Sequence, residues 1–407
     1  MKKVLIITYY WPPSGGAGVQ RWMRFVGNLR KFGWEPVIYT AKDALYPVFD
    51  EKLASQLPEG IRTLRLKVPE PNAFIGKLLF WKKDKSDVIY KNQEQKGDKG
   101  SVFQKILWFI RGNLFIPDAR FLWIKPSVSY LEKALAGENC DVIVSTGPPH
   151  SLHLIGKKLK EKFGIPWVAD FRDPWTSMDY LQAMFLTKYA KKKHKRLEER
   201  VIRSADEIIV VGRTMYTEFK NNYGRDSAII HNGYNESHKK KAGAPDKKFT
   251  IVHIGSFLSN RNCNDLWEVL ADRIKTDKAF SGNLEIRLIG NVAPNVITSI
   301  DNYGLGEHLA RIGYVAYEKT LDYLYAAQVL LLPIDRIENA EFVVTGKLFE
   351  YLRSERPVLL LGPTHGDAAD IIRNCHAGYC CDFDDKKSIR ECIAAMYALF
   401  LEGKNTV

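Results

Sequence analysis

Short apolar runs alternate with longer amphipathic segments along most of the chain. In the first half, strands are predicted at Val4–Tyr9, Pro36–Tyr39, Ile61–Val68, Asp141–Ser145, Trp167–Ala169, Glu207–Val211 and Ala228–Ile230. Segments with helical spacing lie between them, as with Trp22, Val26 and Leu29 after the first strand. Buried strands that alternate with amphipathic helices are typical of parallel sheets built from βαβ units. The pattern therefore predicts an α/β fold.

The same pattern restarts after a polar interruption. Residues 238–248 are charged and contain Gly and Pro, which is typical of a linker. Further strands are predicted at Thr250–Ile254, Leu284–Ile289, Val329–Leu332, Pro357–Leu361 and Gly378–Cys381. We therefore predict domains at residues 1–237 and 249–407, with a cleft between them where ligands bind at the carboxyl ends of strands. A segment at about 74–123 does not show the alternation of short apolar runs and amphipathic segments. It is predicted to be an insertion with interfacial helices.

Composition narrows the possible partners. The 407 residues, 45% hydrophobic and 26% charged, describe an ordinary globular protein with more than one core. Sixty Lys and Arg against 47 Asp and Glu leave a charge of +13, which favours an anionic partner. The basic residues form no recognised nucleic-acid module, so nucleic acid is excluded, and a phosphorylated substrate or an acidic membrane surface remains. Six scattered cysteines without a CxxC pair predict reduced thiols in a cytoplasmic protein.

The strongest local motif follows the first strand directly. It reads Pro12-Pro13-Ser14-Gly15-Gly16-Ala17-Gly18 and precedes a helix. Gly15, Gly16 and Gly18 let backbone N–H groups approach a phosphate or sugar, and a helix N-terminus favours negative charge. The spacing is not G-x-G-x-x-G, and no acidic residue ends the second strand, so a nicotinamide or flavin site is disfavoured. The alternative is a tight turn without a ligand.

Three motifs together resemble a known family. They are the glycine run Gly15–Gly18, the restart Val252-His253-Ile254-Gly255-Ser256, and Lys347-Leu348-Phe349-Glu350-Tyr351-Leu352 before Arg356-Pro357-Val358. The chain resembles the GT-B glycosyltransferases, and within them the retaining family 4. The resemblance implies two Rossmann-like domains, with the nucleotide sugar bound mainly by the second and the acceptor by the first. It also implies a last helix that returns to the first domain. Either the amphipathic segment Ile389–Leu401 is that helix, or the crossover is missing.

The resemblance implies a donor site in the second domain. Arg261, six residues after Gly255, stands where family members hold the diphosphate, although Ser256 replaces the arginine that commonly follows the glycine. An arginine suits phosphate because its donor fork is fixed. By the same resemblance, Gly346 and Lys347 begin a helix that binds the phosphates, and Glu350 accepts hydrogen bonds from the ribose hydroxyls. Asn232 corresponds to the family's hinge beside the donor. The alternatives are a solvated arginine and an i,i+3 ion pair between Lys347 and Glu350.

The family glutamate eight positions before Glu350 is missing. Phe342 occupies that position, and the adjacent Glu341 is out of register. Whether Glu341 contacts the sugar is therefore open.

Candidate catalytic residues lie in the first domain. His150 ends the run Ser145-Thr146-Gly147-Pro148-Pro149 and falls where the family places a histidine near the transferred sugar. Asp170 and Asp173 flank Arg172 after the next strand. Asp170 or Asp173 would accept the proton of the acceptor hydroxyl or bind the sugar of the acceptor, and Arg172 would bind the acceptor or contact a phosphate. The alternatives are a packed loop histidine and mutual ion pairing of the three charged residues.

No metal or cofactor is expected. Asp382-Phe383-Asp384 resembles a metal-binding D-x-D motif, but it precedes a helix where aspartates act as caps. Basic groups and a helix dipole suffice to neutralise a departing diphosphate. The predicted function is transfer of a sugar from a nucleoside diphosphate sugar, with UDP as the expected nucleotide, to a glycan or lipid-linked acceptor in bacterial surface polysaccharide synthesis. Alternatives are a nucleotide-sugar epimerase of the same fold and a non-catalytic nucleotide-sugar or glycan binder.

Aromatic and basic residues are interleaved at Phe80–Lys83 and Trp108–Arg111, and Lys188–Arg200 forms a second basic block. Such a composition is typical of a helix lying on an anionic bilayer. We therefore predict a cytoplasmic protein, with a peripheral position on the inner face of the cell membrane as a compatible hypothesis. The alternative is an insertion that packs internally.

Overall fold

The fold comes from a computed structural model, which describes residues 1–44, 46, 49–69, 102–137, 139–177, 181, 184–234 and 244–404. The chain forms two compact units, Met1–Asn232 and Gly233–Val407. The predicted segment Phe80–Lys83 and most of the predicted linker lie outside the described residues.

The first unit contains a seven-stranded sheet in which every pairing is parallel. The strand order is β3-β2-β1-β4-β5-β6-β7. The strands are β1 (Lys2–Ile7), β2 (Trp34–Lys42), β3 (Arg62–Lys67), β4 (Val142–Gly147), β5 (Trp167–Phe171), β6 (Glu207–Val210) and β7 (Ala228–Ile229). The central strands β1 and β4 are buried because helices cover the sheet, as their nearly continuous apolar sequences require.

Six described helices accompany this sheet. They are α1 (Ala17–Leu29), α2 (Val102–Leu114), α3 (Ile124–Leu135), α4 (Ser151–Phe163), α5 (Lys188–Ser204) and α6 (Arg213–Tyr223). The apolar face of α1, with Val19, Trp22 and Val26, packs into one cluster with Val4 and Ile6 of β1. This packing is the buried face that the spacing of the apolar residues predicts.

The second unit repeats the design with six parallel strands. Their order is β10-β9-β8-β11-β12-β13. They are β8 (Phe249–Ile254), β9 (Leu284–Ile289), β10 (Leu309–Ile312), β11 (Val329–Pro333), β12 (Val358–Leu361) and β13 (Gly378–Cys381). The helices are α7 (Asn264–Thr276), α8 (Lys278–Asn283), α9 (Pro294–Asn302), α10 (Tyr317–Ala326), α11 (Gly346–Arg353), α12 (Asp367–Asn374) and α13 (Lys386–Leu401). Two hydrophobic clusters cover the two faces of this sheet.

The predicted α/β fold with two parallel sheets is confirmed, and each predicted strand has a counterpart. The strand β10 was not predicted, because Leu309-Ala310-Arg311-Ile312 is a half-exposed edge strand without a continuous apolar run. The last helix α13 buries Ile389, Ile393 and Met396 in the core of the second unit. Its buried face therefore belongs to the second unit. Within the described residues, no helix combines the length and the apolar character needed to cross a bilayer.

Strand order determines where each unit can bind a ligand. In the first sheet the chain runs outward from β1 to β2 on one side and from β4 to β5 on the other. In the second sheet β8 and β11 diverge in the same way. At such a switch point the connections leave in opposite directions and open a crevice at the carboxyl ends of the strands. The segments after β1, β4, β8 and β11 therefore border these crevices.

Candidate active site

The glycine motif forms the connection from β1 to α1 at the switch point of the first sheet. Gly16 caps the N-terminus of α1 with a φ of 85°, a conformation that glycine adopts without strain. Gly15 is buried beside it. A Cβ on Gly18 would lie 3.1 Å from Cδ2 of Tyr10 and 3.2 Å from Nη1 of Arg172, so a larger residue would have to displace one of them.

Arg172 joins the three connections at this edge of the sheet. Its Nη1 donates to the carbonyl of Gly18 at 2.9 Å, and its Nη2 donates to the carbonyl of Pro148. Its backbone N–H donates to the carbonyl of Gly147 at 3.0 Å. Arg172 thus fixes the loops after β1 and β4 relative to its own strand β5. Its predicted contact with the acceptor stays a prediction.

Asp170 is fully buried and has both carboxylate oxygens occupied. Arg21 donates to Oδ1 from Nη2 at 2.9 Å and to Oδ2 from Nε at 3.3 Å. The Trp22 indole and the Thr146 hydroxyl each donate to Oδ2 at 2.8 Å. Burial opposes ionisation, but Arg21 and these hydrogen bonds outweigh it and lower the pKa of Asp170 below its ordinary 3.8. An ionised carboxylate with this many donors is poorly placed to take a proton from a substrate.

Arg21 also reaches the end of the first unit. Its Nη1 donates to the carbonyl of His231 at 3.0 Å and to Oδ1 of Asn232 at 3.2 Å. The structure thus brings Asp170 and Asn232 together through a residue that the sequence analysis did not select. The only signal in the sequence was a charged residue next to the apolar positions of α1. The alternative in which Asp170 pairs with Arg172 is not what the structure contains.

His150 is the N-cap of α4 and is 1% exposed. Its ring stacks on Trp175 with the centroids 4.8 Å apart and the planes 3° from parallel. Neither ring nitrogen has a hydrogen-bond partner among the described residues. Burial, together with His153, Arg172 and His194, lowers the pKa of His150 well below its ordinary value. The imidazole is therefore neutral and retains one donor and one acceptor for a ligand or water.

Asp173 differs from Asp170 in its surroundings. It is half-buried in the loop after β5, and its side chain makes no hydrogen bond to the described residues. Burial raises its pKa, and the opposing effect of Arg172 is smaller. A carboxyl group with a raised pKa and an unengaged oxygen suits proton transfer better than an ion-paired one.

In the second unit, Gly255 follows β8 at the switch point and has a φ of 100°. A Cβ there would lie 2.9 Å from Cε of Lys347, so a larger residue would displace the end of the lysine side chain, and the positive φ separately favours glycine. The Lys347 ammonium donates to the Ser256 carbonyl at 3.0 Å and contacts Nε2 of His253 at 3.1 Å. Lys347 thus bridges the start of α11 and the loop after β8.

Arg261 lies beside this lysine. Its Nη1 donates to the Ser256 carbonyl at 3.3 Å, while Nε and Nη2 form a fork on Asp335 at 3.0 and 2.7 Å. Burial, and after it the positive charge of Arg261, lower the pKa of Lys347 to about 7, although Asp335 partly opposes them. Two cations that meet on one carbonyl oxygen repel each other, and an anion between them would relieve that repulsion.

The start of α11 contributes further polar groups. Gly346 is its first residue, and Thr345 caps it without a side-chain hydrogen bond. The buried Thr345 hydroxyl has no partner among the described residues. Helix N-termini favour anions because their N–H groups are unpaired and the helix dipole is positive there. Backbone, hydroxyl and lysine donors therefore converge at this helix start.

Glu350 lies one turn into α11 and forms an ion pair with Arg353 at 3.9 Å. Lys347, by contrast, bonds to His253 and Ser256, so the simple i,i+3 ion pair between Lys347 and Glu350 is wrong. The proposed contact of Glu350 with a ribose stays a prediction, as does any role of the half-buried Glu341.

The sequence analysis missed His253 and Asp335. A histidine inside an otherwise apolar strand was a signal for the first, but the sequence could not show what it faces. Asp335 lies two residues after β11, and only the pairing of β11 with β8 brings it to Arg261. Asp384 of the D-x-D motif pairs with Arg336 at 2.8 Å. In the described part of the chain, no three His, Cys, Asp or Glu side chains are grouped to hold a metal ion.

Family models match both halves of the sequence. Glycosyltransferase Family 4 matches residues 92–238, and Glycosyl transferases group 1 matches residues 248–398. The chain therefore belongs to the glycosyltransferases that combine these two domains, as the resemblance predicted. None of the curated proteins compared with the sequence matches it significantly.

Solved structures share the fold across the whole chain. Sucrose-phosphate synthase from Thermosynechococcus elongatus superposes with a TM-score of 0.59 at 13% identity, covering 100% of this chain and 92% of the other. WaaG, a glycosyltransferase involved in lipopolysaccharide biosynthesis, gives 0.56 at 13% identity, covering 98% and 92%. TarM from S. aureus, solved with fondaparinux, α-GlcNAc-glycerol and UDP, gives 0.59 at 11% identity, covering 100% and 94%. The fold is that of the GT-B glycosyltransferases.

Proposed function

We propose that this glycosyltransferase moves a sugar from a nucleoside diphosphate sugar to a hydroxyl group of a glycan or lipid-linked saccharide in bacterial surface polysaccharide synthesis. The observation that carries the proposal is the pair of cations, Arg261 and Lys347, that meet on the Ser256 carbonyl at the start of α11. Neighbours that act in lipopolysaccharide synthesis, or that were solved with UDP, support the choice of pathway and nucleotide.

The leaving diphosphate is the group that most needs stabilisation. As the glycosidic bond breaks, negative charge grows on the phosphate oxygen that leaves the anomeric carbon. Arg261, Lys347 and the N–H groups at Gly346 would stabilise that charge, because they are already oriented and partly shielded from water. These groups supply the positive charge that a metal ion would otherwise provide. We therefore propose a metal-independent reaction, and retention of the anomeric configuration by analogy with the family.

The first unit would supply the acceptor chemistry. Asp173, with its raised pKa, is our candidate to accept the hydroxyl proton of the acceptor. The neutral His150 would hydrogen-bond the transferred sugar through its unpaired nitrogens. Arg172 positions the loops and would contact the acceptor. For Asp170 we propose a positioning role, since its carboxylate is fully engaged with Arg21.

The test begins with thermal shifts against UDP, GDP, ADP and TDP. The nucleotide that stabilises best then serves in hydrolysis and transfer assays with its sugars. Lys347→Ala and Arg261→Ala should each abolish donor-dependent turnover, whereas Lys275→Ala, exposed at the end of α7, should leave it unchanged. Turnover near the wild-type rate in both site variants would contradict the proposal. Release of an epimerised sugar without acceptor would support the epimerase, and tight binding without turnover would support a non-catalytic binder.

A membrane surface is our proposed further partner, and exposed apolar residues of α2 and of the segment around the start of α5 support this proposal. Large apolar side chains are exposed on two neighbouring parts of the first unit. They are Ile106, Phe109 and Leu114 of α2, Phe185 just before α5, and Tyr189 in its first turn. The two helices are neighbours, because Asn113 of α2 accepts from the Thr187 N–H at 2.8 Å and donates to the Phe185 carbonyl at 3.3 Å.

Exposed lysines lie beside these apolar residues, at Lys191, Lys192 and Lys195 of α5. Apolar side chains next to lysines fit an anionic bilayer, where lipid tails and headgroups satisfy both. Co-sedimentation with vesicles that contain anionic lipid should fall with salt and should be weakened by Lys191→Glu with Lys192→Glu. Lys278→Glu in the second unit is the control. Binding that ignores salt and lipid charge would argue against this surface.

A further inference from the structure

His253 is a fully buried histidine in the strand that leads to the proposed diphosphate site. It lies in β8 and is 0% exposed. Its Nδ1 is 3.0 Å from the carbonyl oxygen of Leu331 in β11. Its Nε2 is 3.1 Å from the Lys347 nitrogen and 3.3 Å from the Ser256 carbonyl oxygen. Both ring nitrogens are thus in contact with polar groups, although the ring is surrounded by the core.

These contacts identify the tautomer. Each ring nitrogen lies near a carbonyl oxygen that can only accept, but the Leu331 oxygen is the nearer one, at 3.0 Å against 3.3 Å for Ser256, so we assign the proton to Nδ1. Nε2 then has a lone pair that points at the Lys347 ammonium, which can only donate. The opposite tautomer would place a lone pair against the Leu331 oxygen and an N–H against the ammonium. Burial, followed by the positive charge of Lys347, lowers the pKa of His253 well below its ordinary value, so the ring stays neutral.

We propose that His253 is a positioning residue that accepts a hydrogen bond from Lys347 at Nε2 and holds the ammonium where the donor diphosphate binds. This inference rests on the function proposed above. The charged groups that face Lys347 from the packed elements are Arg261 and Asp335, and those that face His253 are Lys347 and Arg261, among the described residues. Asp335 is engaged by the fork of Arg261.

The choice of an imidazole has a physical consequence. Both acceptors of Lys347, the His253 nitrogen and the Ser256 carbonyl, are neutral, so they fix the direction of the ammonium without cancelling its charge. A carboxylate at the same place would form an ion pair with the lysine and compete with the phosphate oxygens. The neutral ring therefore leaves the full charge of the lysine for the ligand.

Two substitutions separate positioning from structural support. The Gln side chain places its amide near Nε2 and can accept from Lys347, but it cannot reach the Leu331 carbonyl. The Asn side chain places its amide near Nδ1 and can donate to Leu331, but it cannot reach Lys347. With UDP as the probe in isothermal titration, we expect His253→Asn to bind about tenfold more weakly and His253→Gln to stay within about threefold of wild type. A purely structural role predicts the reverse order.

The pH dependence gives a second measurement. A hydrogen bond accepted from the ammonium favours the charged lysine, so its loss lowers the lysine pKa. UDP binding should therefore weaken at a lower pH in His253→Asn than in wild type, whereas His253→Gln should keep the wild-type midpoint. Thermal melting checks that both variants fold.

The outcomes are distinguishable. If wild type binds none of the four nucleoside diphosphates, the proposed function fails. If wild type binds UDP and His253→Asn matches it in affinity and pH midpoint, the role of His253 is wrong while the function survives. Should neither variant fold, long-range ¹H–¹⁵N spectra of wild-type histidines report the tautomer directly. The histidine whose signal shifts when UDP is added should be protonated at Nδ1. If that histidine is protonated at Nε2, the inference is wrong.

Discussion

Asp170 allows a sharp test, because the structure gives it a role different from the catalytic one that the sequence suggested. In Asp170→Asn the amide nitrogen must occupy the site of one carboxylate oxygen and so meets a donor of Arg21, Trp22 or Thr146. The variant also leaves the buried Arg21, 3% exposed, without its counterion. Removing one partner of a buried ion pair costs about 3–5 kcal/mol, and we expect the first unit to lose stability by that amount.

Urea unfolding followed by tryptophan fluorescence measures this loss. Of the nine tryptophans only Trp267 lies in the second unit, so the signal reports mainly on the first. Asp226→Asn is the matched control, because Asp226 is exposed and pairs with Lys220 at the surface. Its effect should be much smaller, because solvent screens an exposed ion pair. An Asp170→Asn variant as stable as the control would refute the reasoning, and a stable but inactive variant would restore Asp170 as a catalytic residue.

The same ion pair has a defined pH dependence. The pKa of Asp170 is lower in the folded protein than its ordinary 3.8, so its stabilisation is fully present above that value. The stabilisation is lost as the pH falls through the folded-state pKa. Wild type should therefore lose stability on acidification more steeply than Asp170→Asn, and the two should converge at low pH. Parallel pH profiles would contradict an ionised Asp170.

Three further predictions concern binding and turnover. Gly255→Ala should weaken UDP binding about tenfold or more in titration calorimetry, because its Cβ would lie 2.9 Å from Cε of Lys347 and its φ is 100°, whereas Gly282→Ala, with open space around it, should have no effect. Wild-type affinity for UDP should fall as the pH rises above about 7, since Lys347 loses its proton there, and an affinity that is constant from pH 6 to 9 would contradict this. His150→Phe, which keeps the stack on Trp175, should lower kcat at least tenfold in transfer assays and leave UDP affinity unchanged; an unchanged kcat would remove His150 from the reaction.

Strand prediction succeeded for the half-exposed edge strand β3, where Leu64 and Leu66 alternate with polar residues, and for the strands that are buried on both faces. Such strands are continuous apolar runs, which local composition reveals without knowledge of the partners. The edge strand β10 has only four residues and shows neither pattern, because Arg311 interrupts its short apolar run. The glycine motif after β1 and the glycine after β8 could also be predicted, since Gly16 and Gly255 adopt positive φ values that tight connections after strands require.

The pairing of charged residues could not be predicted from the sequence. Asp170 appeared next to Arg172 in the sequence, yet it bonds to Arg21, 149 residues away. Lys347 appeared one turn before Glu350, yet it contacts His253, 94 residues away. A charged residue can pair either with its neighbours in the chain or with distant residues that the strand order brings to the same edge of the sheet. The strand order cannot be read directly from the sequence.

By itself, therefore, the sequence determined the α/β class, the two successive sheets and the motifs that resemble a glycosyltransferase, because these depend on local patterns of burial and backbone freedom. Tertiary structure decided which charges meet. It assigned Asp170 to Arg21, placed Asp335 on Arg261, and put a neutral imidazole beside Lys347. The interaction between two charges depends on the distance between them in space and on the local dielectric constant. It does not depend on how far apart the two residues are along the chain.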